Sequence, residues 1–172
     1  IPTARLKAGD IQATYVIASP ATTPTDEVRT HIAFSTSVQP MTQTLGARLP
    51  TPAATSIGLP AYRRLRVQGA LPSEYRNLVG ASFEPSGGGG NEILVIQTGA
   101  YLAATWSTAA YDLSIPDLTA PAGFPFAAGL PAGLIEVLLE VSGWTGAGVQ
   151  EPIVLNGTIL RSASKSVTVM VP

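Results

Sequence analysis

Fifteen prolines and seventeen glycines are scattered along the 172 residues, and they break the chain before any long helix can form. Proline removes a backbone donor and fixes φ, and glycine weakens any regular element that it interrupts. The pieces left between them alternate apolar and polar with period two, the signature of strands with one face toward a core. Ile11, Ala13, Tyr15 and Ile17 share one face of the first run, opposite Gln12 and Thr14. In the next, Ile32, Phe34 and Thr36 lie together, leaving His31, Ala33, Ser35 and Ser37 on the other side. Leu65 and Val67 oppose Arg64, Arg66 and Gln68, and Val79, Ala81 and Phe83 form an inward set against Ser82 and Glu84.

Later segments follow the same rule. Glu92 to Gln97 is apolar on both faces, which suits a central strand, and Tyr101 to Trp106 is expected to follow it. Leu134 to Val141 places Glu136 and Glu140 four apart, as on one helix face. Ile135, Val137, Leu139 and Val141 alternate within it, however, and Ser142-Gly143 ends it after eight residues, so a strand is expected. Val167, Val169 and Val171 share one side of the last run. Ile153 to Leu160 reads as a hairpin, because Asn156-Gly157 between apolar arms suits a type I′ turn. Asn156-Gly157-Thr158 also matches a glycosylation acceptor, but the turn accounts for the same residues without sugar.

Eight to ten short strands without a long helix predict an all-β fold: an antiparallel β-sandwich, Ig-like or jelly-roll, spanning 1–172 as one domain. Gln39 to Pro60 has no clear periodicity and is expected to be an extended loop or irregular edge. Pro85 to Asn91, with its four consecutive glycines, is expected to be a flexible one.

Charged residues make up only 12% of the chain against 45% hydrophobic. Soluble domains usually carry about 25% charged residues. So few charges suggest that a partner covers part of the surface. A net charge of -1 argues against nucleic acid as that partner. No cysteine is present, which removes disulfides and thiolate metal sites. No apolar run reaches the roughly 18 residues of a membrane helix. The chain opens Ile1-Pro2 without an initiator methionine, so an upstream segment is expected to have been removed or left out, a secretion signal being one such segment. Eight Arg against two Lys, with abundant Ala, suggest a bacterial source.

Each candidate site has a simpler structural explanation. His31 is the only histidine, no Gly-x-Ser-x-Gly elbow accompanies it, and a surface position is expected. A usual zinc ligand set cannot be assembled. Glu136 and Glu140 would sit about 13 Å apart along a strand, too far for the usual glycosidase pair. Asp112 and Asp117 flank a turn and could approach a calcium ion, although turn formation and solubility explain them better. Arg63, Arg64, Arg66 and Arg76 form a cluster in which Arg64 and Arg66 could grip an anion, or could guard an exposed edge. Trp106 and Trp144 are candidate stacking platforms for sugar, with Trp144 expected in a loop. Residues 111–119 and 122–124 resemble segments of bacterial secreted Ig-like modules; the likeness identifies no family and assigns no functional residue.

The sequence therefore leads to a non-enzymatic structural or interaction domain without cofactor or metal, exported to the cell surface or extracellular space, working as a subunit of an assembly. Val167, Val169 and Val171, together with the run 121–134, are the expected contacts with protein subunits. The alternatives are a carbohydrate-binding module using Trp144, a viral coat-like subunit, or a glycan-acting enzyme whose acid pair is not located.

Overall fold

The computed structural model describes residues 7, 9–19, 27–37, 42–59, 62–87, 92–98, 110–118, 129–146 and 152–172. They form nine strands and no α-helix: β1 (Gln12–Ala18), β2 (Val28–Ser35), β3 (Ala53–Leu59), β4 (Tyr62–Ala70), β5 (Leu78–Pro85), β6 (Ile93–Thr98), β7 (Ala110–Ser114), β8 (Gly133–Trp144) and β9 (Ile159–Val171). A 3-10 turn, Ser73–Tyr75, precedes β5. All strand pairs are antiparallel, in a six-stranded sheet ordered β1-β2-β9-β8-β5-β6 and a three-stranded sheet ordered β3-β4-β7. The two sheets enclose one core, as expected of a β-sandwich.

Alternation explains the core directly. Ile135, Val137, Leu139 and Val141 of β8 are almost fully buried, and so are Val79, Ala81 and Phe83 of β5. Leu65 and Val67 of β4, with Tyr111 and Leu113 of β7, oppose them from the smaller sheet. Each fully buried aliphatic side chain contributes about 1.5–3 kcal/mol. The β8 segment, whose two glutamates imitate a helix face, is a strand because its β-branched residues pack well on a pleated surface.

Four expectations need correction. Ala53–Leu59, inside the segment 39–60 expected as an extended loop or irregular edge, is a regular edge strand, β3. Its sequence carries little hydrophobic alternation, since pairing with β4 and a small contribution from Ala54 hold it in place. Among the described residues β6 is an edge strand rather than a central one, which leaves Leu94 and Ile96 exposed. Residues 153–155 do not form a hairpin arm. The turn over 155–158 is closed by the Thr158 amide donating to the Leu155 carbonyl at 3.1 Å. Only Gly157 has positive φ (84°), whereas type I′ requires it at both central positions, so the geometry is that of type II. Finally, His31 is buried at 2% exposure, together with Ala33, while Ile32 and Phe34 point away from the core. The expected strand 101–106, with Trp106, and residues 88–91 of the glycine loop lie outside the described residues.

The reversal at β2 has a visible cause. Residues 42–52 form a strap across the inward face of β2 and β9, held by side chains rather than by a sheet. His31 Nδ1 donates to the Thr44 carbonyl (2.9 Å), Arg29 to Gly46 (2.8 Å), Tyr75 to Ala47 (3.0 Å) and Lys165 to Leu49 (3.1 Å). In return, Glu74 accepts from the Ala47 amide at 2.6 Å and Glu27 from the Leu49 amide at 3.3 Å. An irregular segment leaves backbone groups that must be satisfied when covered, so the face beneath it is polar.

Two outcomes follow. Nothing crowds a Cβ at Gly157, so its φ is the only obstacle to substitution. Gly157→Val should destabilise by about 1 kcal/mol or more, and Gly157→Asn by less, in thermal unfolding, because Asn tolerates positive φ. The Tyr111 hydroxyl is buried without a hydrogen-bond partner, its ring lying over Gly69 directly across the β4–β7 pair. Removing an unsatisfied hydroxyl relieves a desolvation cost, so Tyr111→Phe should leave the melting temperature unchanged or raise it by a few degrees, at about 2–4 °C per kcal/mol for a chain of this size.

Candidate functional site

The outer faces of the two sheets differ in kind. On the small sheet, Arg64, Arg66 and Gln68 of β4 lie beside Asp112 of β7, facing outward as the alternation predicts. Arg66 holds Asp112 through two hydrogen bonds, one from Nε at 2.7 Å and a shorter one from Nη2, and Gln68 adds a third at 3.0 Å. Arg64 Nη2 lies 3.4 Å from Asp117. Arg63 donates from Nε to the Pro172 oxygen. The arginines expected to grip an anion thus already have acidic or carbonyl partners. The same pairing splits Asp112 from Asp117, and no cluster among the described residues has three potential metal ligands.

The six-stranded sheet departs from the usual polar exterior of an antiparallel sheet. Ten large hydrophobic side chains are exposed among the described residues, and six of them stand on this one face: Tyr15, Ile17, Leu94, Ile96, Leu134 and Met170. Tyr15 and Ile17 are 62% and 65% exposed, which places the apolar face of the first run in solvent rather than against the core. The register aligns Tyr15, Ile32, Leu160 and Trp144 in one row across β1, β2, β9 and β8. Trp144 is the last residue of β8 rather than part of a loop, half-buried, with its amide donating to Asn77 Oδ1.

Toward the middle of this face the side chains are small. Gly80 of β5, Ser142 of β8, Ser162 of β9 and Thr30 of β2 line a groove of about 380 Å³, walled on the β6 side by Leu94 and Ile96. Three exposed carboxylates stand on the same face: Glu140 at the groove, with Glu84 and Glu136 directly opposite each other across β5 and β8.

Val167, Val169 and Val171, expected as partner contacts, point inward. Val171 is 1% exposed and the other two pack against the core, so the domain's own interior uses them. On β9 it is the residue between them, Met170, that reaches solvent at 63%. Sequence periodicity marks two faces on a strand but not which face is inward. The small, partly polar set His31, Ala33 and Ser35 was the available sign that β2 faces a covering loop. Within residues 121–134, Leu130 belongs to the core and Leu134 to the exposed face, while 121–128 lie outside the described residues.

No protein family, curated protein or solved structure matches the chain. No helix among the described residues is long and apolar enough to cross a membrane.

Two carboxylates make stability depend on pH. The hydrogen bond from Arg66, aided by its charge and by Gln68, holds Asp112 below the ordinary carboxylate range. The Ala47 amide does the same for Glu74. A carboxyl lowered in the folded state stabilises fully above its unfolded value near 4, and that contribution disappears as pH falls through the folded value. The melting temperature should therefore drop on acidification below about pH 4, and Asp112→Asn should make that drop shallower.

Proposed function

We propose that this domain is a non-enzymatic interaction module that works as a subunit of a larger assembly, in the extracellular or cell-surface setting of a bacterial protein, and that it docks through the outer face of its six-stranded sheet. The observation that carries this is the concentration of exposed apolar side chains on that face, while the small sheet keeps a charged, internally paired exterior. Apolar side chains exposed in number on one sheet face are the mark of an interaction site. The low overall charge agrees with a molecule that is partly covered in use.

A carbohydrate-binding role is the second reading. It is favoured by Tyr15, Phe34 and Trp144 sharing this face, since aromatic rings can stack on sugar. The remaining exposed residues are aliphatic, which suits protein better than pyranose rings.

Replacing Tyr15 and Ile17 with Ser and Thr, and Leu94 and Ile96 with Ser and Thr, removes the apolar character at positions where surface changes usually cost within about 0.5 kcal/mol. The quadruple variant should unfold at nearly the wild-type temperature and elute at monomer size where the native material elutes as a complex. Assembly that survives these changes would refute the docking face. In parallel, Trp144→Ala should leave retention on a polysaccharide panel as it is in wild type. Loss of glycan retention with assembly intact would promote the second reading.

A further inference from the structure

We infer that the partner seated on this face is another polypeptide presenting a helix with an aliphatic stripe flanked by Lys or Arg. This deepens the assembly reading above and rests on it. Three features of the face lead to it.

The first is charge. By the pairing register, the outward strand positions of the six-stranded sheet include Glu84, Glu136 and Glu140 but no Lys or Arg. The basic residues of these strands, Arg29, Arg161 and Lys165, all alternate to the inward side. None of the three glutamates makes an ion pair among the described residues. Glu84 and Glu136 face each other across the β5–β8 ladder, where like charges are destabilising. On the small sheet, by contrast, Asp112 and Asp117 both have arginine partners. The acidic row is therefore left for an external cation to neutralise.

The second is shape. The groove is floored by Gly80, Ser142 and Ser162, with Val28 of β2 on one side and Leu94 and Ile96 of β6 on the other. From β2 to β6 are four strand spacings, about 19 Å between backbones. A single helix, roughly 10–12 Å across with its side chains, fits within that span.

The third is the exclusion of a second copy. Two such faces packed together would bury carboxylates without any cation, which is strongly unfavourable. The arginines on the outer face of the small sheet are already engaged, Arg64 with Asp117 and Arg66 with Asp112. Nucleic acid is repelled by the same carboxylates.

The test titrates the isotope-labelled full chain with three amphipathic peptides that share a Leu stripe and carry Lys, Gln or Glu on its flanks, at low and at high salt. The Lys peptide should bind at low salt, shift the amides of Gly80, Ser142 and Ser162, and weaken as salt rises. Combining Glu84→Gln, Glu136→Gln and Glu140→Gln should weaken the Lys peptide by about tenfold or more and leave the Gln peptide unchanged. Gly80→Val, whose Cβ meets only ordinary van der Waals contacts and whose branch would rise into the groove, should fold normally and block binding. Equal binding of the Lys and Gln peptides, or shifts confined to β3, β4 and β7, would overturn the inference. If the Lys peptide fails while the apolar surface variant still loses assembly, only the basic partner is refuted. If the peptide binds in the groove but the surface variant assembles normally, the assembly reading falls and the binding site stands. Concentration-dependent self-association abolished by Gly80→Val would instead show a second copy on the face and overturn the proposal.

Discussion

The pairing of β8 with β9 organises the molecule. Twelve residues of β8, Gly133 to Trp144, run in register against Val171 to Leu160 of β9, at the centre of the larger sheet. Because side chains alternate with period two, this single register decides the character of both faces. Ile135, Val137, Leu139 and Val141 go inward with Val169, Val167 and Ala163 across from them. Glu136, Leu138, Glu140 and Ser142 go outward with Thr168, Ser166, Ser164 and Ser162. A slip of one residue would exchange the two sets and expose the entire apolar row. That is a large penalty, and it pins the register without help from any turn.

The small sheet is too narrow to cover the whole inner surface, and the strap 42–52 covers the remainder. Its backbone is irregular, so its carbonyls and amides need partners that no strand provides. Arg29, His31, Glu27, Glu74, Tyr75 and Lys165 supply them. The His31 hydrogen bond fixes its tautomer. A carbonyl can only accept, so Nδ1 carries the proton and Nε2 is left buried and unpartnered. The only histidine thus has a structural task, which neither a surface role nor a catalytic one would have suggested.

This arrangement also explains what could be read from the sequence. Where a strand faces the other sheet, apolar means inward, and β4, β5 and β8 were legible for that reason. Where a strand faces the strap, polar means inward, and β2 was read the wrong way round. The pattern His31-Ile32-Ala33-Phe34 looks the same in both situations, since alternation carries no sign. β6 misled for a related reason: Leu94 and Ile96 imitate a central strand because they are apolar on a face that no layer covers among the described residues. The docking surface was expected at Val167, Val169 and Val171 because those residues are the more hydrophobic set on β9. Hydrophobic strength identified the core, and the functional candidate was the weaker set that alternates with it.

An exposed apolar face on a sheet with open edges is an aggregation hazard, and natural sheets manage it with charge. Here the charge has one sign. Mixed Lys and Glu would solubilise the face equally well and would pair with one another, as the Arg66–Asp112 and Arg64–Asp117 pairs do on the small sheet. Carboxylates alone repel a second copy of the same surface while remaining available to a cationic one. In the proposed docking they act twice, keeping the free domain from self-stacking and selecting among partners. Specificity of this kind is a difference between affinities, achieved partly by repulsion. The cross-strand pair Glu84–Glu136 is the clearest case, since its two carboxylates stand directly opposite each other in the ladder, the placement in which like charges disfavour one another.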